Sequence, residues 1–121
     1  EGDNQVWLSP HDEIDTDPCD AVPEEIDIAV AIDRFERAVD WPIERVERSW
    51  AGLRTFAHDR LPVYGFDLRQ PGFFWCAGQG GFGIQTAPAA TSLAAALITG
   101  QAPDPMVAGI DPDIFSPARF G

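Results

Sequence analysis

The 121-residue sequence has few cysteines, few basic residues and no long apolar run. Nothing approaches the roughly 18 apolar residues of a membrane-spanning helix, and no segment resembles a signal peptide. Eight basic residues stand against 20 acidic ones, for a formal net charge of -12. A polyanion without a basic patch is a poor ligand for nucleic acid or an anionic membrane, so neither partner is expected.

The two cysteines, Cys19 and Cys76, lie in unlike surroundings and lack the spacing of a metal site. Reduced thiols in a cytoplasmic protein are therefore expected, and no metal ligands are predicted. A hydrophobic fraction of 45% is ordinary for a globular domain of this length. The chain starts at Glu1 without a methionine, and we expect it to be the C-terminal part of a longer protein.

Periodicity predicts both helices and strands. A helix is expected from Pro23 onward, because its apolar residues fall on one face: Ile28, Ile32, Phe35 and Val39. Alternation at a period of two predicts a strand over 44–56, and shorter strands are expected at 5–8, 61–66 and 73–76. A second helix should run from Gln85 or Thr86 to Thr99, with Pro88 in its first turn and Gly100 as its stop.

The richest local signal is a glycine loop between the strand at 73–76 and the second helix. Gly78, Gly80, Gly81 and Gly83 lie within six positions, as in a strand that turns sharply into a helix and lets a ligand approach the backbone. The loop also matches G-x-G-x-x-G, the dinucleotide pattern. That match is weak, because the pattern also needs a second strand that ends in an acidic residue. Asp104 has about the right spacing, but Pro103 and Pro105 flank it and disfavour a strand there. A purely structural turn is a further alternative.

Arg54 is the most informative charged residue of the predicted strand at 44–56. It shares a face with Trp50, Gly52 and Phe56, which would place a guanidinium between two aromatic rings with room for a small ligand. Arginine binds a carboxylate through two parallel hydrogen bonds, which makes a substrate clamp one possibility. An ion pair with Asp59 or another acid is the other.

Two motifs in order, Trp50-Ala51-Gly52-Leu53-Arg54 and Gly78 to Gln85, resemble the C-terminal third of FAD-dependent amino-acid oxidoreductases. This superfamily includes the D-amino-acid, glycine and sarcosine oxidases. Together with Pro18-Cys19-Asp20-Ala21 and Pro23-Glu24-Glu25, the motifs look most similar to the D-arginine dehydrogenase type.

The resemblance implies an α+β fold. Residues 1–71 would form part of the antiparallel sheet of a substrate-binding domain with helices, and 72–121 the terminal strand-loop-helix of an FAD-binding domain. The nucleotide-binding part would belong to the missing N-terminal region, which becomes the expected partner. The fragment alone should then hold FAD poorly and be inactive.

The resemblance also assigns roles to residues. Arg54 would bind the substrate carboxylate, and the carbonyl of Gly81 would receive the amino group of a small-molecule amino acid. FAD would contact a run of six residues: Gly80, Gly81, Phe82, Gly83, Ile84 and Gln85. Hydride would pass from the α-carbon to flavin N5, giving an imino acid and then a 2-oxo acid.

The binding of FAD should be non-covalent. Phe56 stands where sarcosine oxidases carry the cysteine that tethers flavin, and Cys76 lies within a strand. No residue is predicted to be catalytic. The alternative function is an acidic, non-enzymatic binding module whose glycine loop is only a tight turn.

Overall fold

A computed structural model describes residues 5–121. The chain divides into two compact units, one ending at Leu53 and the other spanning Arg54–Gly121. The described residues form two α-helices and a two-stranded antiparallel sheet, which confirms the α+β class. The expected assignment of 1–71 and 72–121 to two domains of a longer enzyme stays a prediction.

In the first unit, helix α1 spans Glu25–Ala38 and begins two residues after Pro23. Acidic residues in its first turn and Arg37 in its last suit the helix dipole. The predicted apolar face is half-buried at Ile28, Ile32 and Phe35, and the ring of Phe35 meets that of Trp41 edge-on at 5.9 Å. Val39 caps the helix in an extended conformation and is exposed.

The strands expected at 5–8 and 44–56 are wrong. Neither segment forms a hydrogen-bonded ladder in the part of the chain that the structure describes. Alternating side chains arise in any extended backbone, whereas a strand also needs a neighbour to pair with. Contacts between alternate residues do occur at 44–53, where the guanidinium of Arg48 lies 5.5 Å from the Trp50 ring centroid.

The second unit is organised around a hairpin-like pair of strands. Strands β1 (Val63–Phe66) and β2 (Phe74–Ala77) are antiparallel, with Tyr64 opposite Cys76 and Phe66 opposite Phe74. Both confirm predicted strands: β1 is two residues shorter than the expected 61–66, and β2 has the expected length but lies one residue later than 73–76. The chain leaves β2 through the glycine loop and enters helix α2 at Gly83.

Helix α2 spans Gly83–Thr99 and ends as predicted at Gly100. Gly100 adopts the left-handed conformation (φ 67°), and its N–H bonds to the Ala96 carbonyl. The helix begins two or three residues earlier than expected, because the N–H of Thr86 already bonds to the Phe82 carbonyl at 3.1 Å. Pro88 therefore lies in the second turn, where its missing N–H costs one helical bond.

The core of the second unit is small. Its core side chains come from β1, α2 and the segment after α2: Tyr64, Leu93, Ala94 and Val107. Pro62, just before β1, is buried as well. Two short 3₁₀-helices, Pro112–Phe115 and Pro117–Phe120, pack on β1, and the Phe115 ring lies 5.6 Å from that of Tyr64. Residues 5–121 contain no helix that combines the length and the apolar character needed to cross a bilayer.

Candidate functional site

An open hollow lies at the start of α2 in the second unit. Its volume is about 510 Å³. Seven residues line it: Arg54, Gly80, Gly81, Phe82, Gly83, Ile84 and Gln85. The structure thus brings together every residue that the sequence analysis singled out for binding substrate or flavin. None of these lining residues is acidic, so Arg54 is the single charged group of the wall.

The first turn of α2 forms one side of the hollow. No side chain caps this helix end, and the first-turn amides of Gly83, Ile84 and Gln85 have no acceptor within the helix itself. The positive end of the helix dipole lies at the same place. This side of the hollow therefore offers hydrogen-bond donors and a positive potential to electron-rich atoms.

The glycine loop forms the floor and packs closely on the segment that carries Arg54. Gly80 adopts a left-handed conformation (φ 55°), and its N–H donates to the Thr55 carbonyl at 3.0 Å. A methyl group at Gly80 would overlap the Phe56 ring, coming within 2.9 Å of its Cδ1. A methyl group at Gly81 would lie 2.7 Å from Arg54 Nη1. Bare backbone lets the loop approach Phe56 at Gly80 and Arg54 at Gly81.

Arg54 is half-buried, and its guanidinium carbon lies 5.3 Å from the Phe56 ring centroid. The acid nearest in sequence, Asp59, is bound by another residue. Arg119 donates to it through Nε at 2.6 Å and Nη2 at 3.1 Å, and also donates to the Leu61 carbonyl at 2.9 Å. These bonds from Arg119 hold the pKa of Asp59 below its usual range. Asp59 therefore forms an ion pair with Arg119 and does not line the hollow.

Three further residues considered in the sequence analysis lie outside the hollow. Cys76 is an exposed, free thiol on β2, with the Gln79 amide 3.7 Å from its sulfur, and Cys19 is also free and exposed. Asp104 accepts the N–H of Met106 at 2.8 Å and so closes a turn. No strand follows α2 in residues 100–121, so this part of the chain lacks the second strand of a dinucleotide-binding unit.

The lining suits a flat ring with electron-rich atoms at one edge. Backbone amides supply donors, the two glycines leave the floor open, and Ile84 adds an apolar wall with 96% of its surface exposed. A carboxylate could bind beside such a ring at Arg54. Residues 5–121 contain no cluster of three His, Cys, Asp or Glu side chains that could hold a metal ion.

One feature of the site was missed by sequence reasoning. The Phe56 ring contacts Arg60 as well as Arg54, with the Arg60 guanidinium carbon 5.4 Å from its centroid. The two-residue alternation placed Arg54 and Phe56 on one face. It carried no signal for Arg60, whose left-handed backbone (φ 65°) sends the chain back at the turn.

The sequence model of the DAO family, described as FAD dependent oxidoreductase, matches residues 1–97. The matched span contains Arg54, both strands, the whole glycine loop and most of α2. It leaves out the end of α2 and the two 3₁₀-helices.

Proposed function

The chain belongs to the DAO family of FAD-dependent oxidoreductases, and on that basis we propose that it forms the C-terminal part of an enzyme that oxidises the Cα–N bond of a D-amino acid. The family membership supports FAD use and redox chemistry. The amino-acid substrate and its D configuration rest on the sequence resemblance. The likeness to D-arginine dehydrogenases rests on the two motifs together with Pro18-Cys19-Asp20-Ala21 and Pro23-Glu24-Glu25. The nucleotide-binding part is proposed to lie upstream, in the same protein.

We assign the flavin to the amide side of the hollow. Gly80 to Gln85 would hold the electron-rich edge of the ring without a covalent bond, since they line the hollow and the first-turn amides of α2 have no acceptor within the helix. When bound, the flavin supplies the acceptor for the hydride that leaves the substrate α-carbon. The apolar side chain of Ile84 would cover the ring and keep water from it.

The substrate would bind beside Arg54. The planar guanidinium suits two parallel hydrogen bonds to the α-carboxylate, and the Gly81 carbonyl would accept one from the amino group. With both groups held, the α-carbon would have a fixed position in the hollow. Loss of its hydride would give an imino acid, which water hydrolyses to a 2-oxo acid. Free thiols at Cys19 and Cys76 are consistent with the cytoplasmic location that we propose.

One observation carries the proposal: the guanidinium of Arg54 lies against Gly81 in the hollow where α2 begins. The first test is co-expression of this chain with the upstream nucleotide-binding part. We expect a yellow complex whose flavin is released on denaturation. A colourless, folded complex would refute the proposal and leave the acidic binding module as the better explanation.

The second test replaces Arg54 by Lys in the flavin-loaded protein. Lysine keeps the charge but loses the planar pair of donors, which should cost about 1.5–3 kcal/mol, or a rise of roughly 10- to 150-fold in KM for the amino acid. Arg48→Lys is the matched control, because Arg48 also lies over an aromatic ring but does not line the hollow. An unchanged KM in Arg54→Lys would remove the clamp assignment.

A further inference from the structure

We propose that Phe56 is a positioning residue, whose ring holds the guanidinium of Arg54 in place beside Gly81 before any carboxylate binds. This inference rests on the proposed function. It adds the residue that orients the Arg54 guanidinium for the substrate carboxylate. Phe56 does not line the hollow, so it would act through Arg54 and through the loop.

The contacts of the Phe56 ring link the parts of the site. The Arg54 guanidinium carbon lies 5.3 Å from the ring centroid, and that of Arg60 lies 5.4 Å away. The ring also packs on the bare Cα of Gly80, where a methyl group would lie 3.1 Å from Cζ and closer still to two other ring carbons. One aromatic side chain thus contacts the clamp residue, a second cation and the loop floor.

These contacts predict pre-organisation of the clamp. A free arginine side chain has many rotamers, and binding a ligand to it costs the free energy of freezing them. A cation over an aromatic face is attracted by the ring quadrupole, which limits those rotamers in advance. The tight contact between Phe56 and Gly80 then fixes the ring itself relative to the loop, so the guanidinium and the Gly81 carbonyl keep one spacing.

The alternative is that Phe56 only fills space. An aliphatic side chain would then serve equally well, because it restores most of the apolar contact. The two explanations differ in what they predict for carboxylate affinity at unchanged folding stability. The test therefore compares variants that keep apolar volume with one that keeps the ring.

The experiment uses the flavin-loaded protein with Phe56→Leu, Phe56→Met and Phe56→Tyr. Binding of propionate, a small monocarboxylate, is measured by calorimetry, alongside KM, kcat and the melting temperature. Loss of the cation–π contact should weaken propionate binding roughly 2- to 30-fold in the Leu and Met variants. KM should rise with it, and kcat at saturation should stay the same, because the ring touches no reacting atom. The Tyr variant should bind like the unmodified protein.

Phe120→Leu is the matched control, since Phe120 lies under Arg119 at 4.2 Å in the last 3₁₀-helix and does not line the hollow. It should leave propionate binding unchanged. If Phe56→Leu does not fold, Phe56→Met, which keeps more of the volume, decides the matter. Propionate affinity equal to the unmodified protein in the folded Leu or Met variant would overturn the inference, as would an equal loss in the Tyr variant.

Failure of the inference differs from failure of the proposed function. If the unmodified protein binds flavin and propionate and the variants do so equally well, only the role of Phe56 is refuted. If the unmodified protein binds flavin but not propionate, the Arg54 clamp is refuted as well. If it binds no flavin, the proposed function falls and the inference falls with it.

Discussion

Replacing Gly80 by Ala should be among the most damaging single-methyl changes in the second unit. Two effects add at this position. The backbone is left-handed (φ 55°), which costs a residue with a Cβ about 1–2 kcal/mol. The new methyl group would also overlap the Phe56 ring, which both Arg54 and Arg60 contact, and such overpacking costs about 1–3 kcal/mol.

The expected loss in the free energy of unfolding is therefore about 2–5 kcal/mol. Urea denaturation measures it, with the slope of the transition unchanged if the variant alters only stability. Gly100→Ala is the control for the backbone effect, since Gly100 is left-handed as well (φ 67°) and a methyl group there meets nothing within 4 Å. It should cost only about 1–2 kcal/mol.

A double variant isolates the steric part. Phe56→Leu in the Gly80→Ala background should recover part of the loss, because the smaller side chain makes room for the methyl group. The two changes should therefore be non-additive by about 1–3 kcal/mol. A loss at Gly80 no larger than that at Gly100, together with strict additivity, would show that the ring does not press on the loop.

Two predictions concern groups outside the hollow. The bonds from Arg119 lower the pKa of Asp59 in the folded state, so their stabilisation is present above the unfolded pKa and lost as pH falls through the folded one. The stability difference between the protein and Asp59→Asn should therefore be constant from neutral pH down to about pH 4, and in pH-dependent urea titrations it should shrink as the pH falls further; a difference that stays constant in acid contradicts it. Tyr64 is 3% exposed, and its hydroxyl has no hydrogen-bond partner within residues 5–121. Tyr64→Phe should raise the free energy of unfolding by about 1–2 kcal/mol, and a clear fall would reveal a partner for the hydroxyl.

Features with a local cause could be predicted from the sequence. The end of α2 follows from Gly100, which alone among its neighbours reaches the left-handed conformation at no steric cost. The turn from β2 into α2 follows from the clustered glycines. The grouping of Arg54 with the loop came from the resemblance alone, and the structure brings these residues into one hollow.

Features that depend on distant partners could not be predicted. The ion pair between Arg119 and Asp59 joins residues 60 positions apart, and nothing local to either residue marks it. The expected strand at 44–56 failed for the same reason, since a period of two describes an extended chain but not whether another strand lies beside it. The contact between Arg60 and the Phe56 ring could not be predicted either, because it depends on a left-handed backbone at Arg60 that a non-glycine residue seldom adopts.

We expect the packing of the glycine loop and the proposed binding of a ligand to depend on the same contacts. The Thr55 carbonyl holds Gly80, the Phe56 ring lies on Gly80, and Arg54 lies against Gly81, so the segment 54–56 contacts the loop at consecutive residues. A change that loosens this contact should therefore lower stability and carboxylate affinity together, whereas a change confined to the guanidinium should lower affinity alone. Gly80→Ala and Arg54→Lys represent these two cases. Comparing them tests whether the hollow is already formed in the ligand-free fold. If the site formed only when a ligand binds, the loss of stability in Gly80→Ala would not be accompanied by a loss of carboxylate affinity.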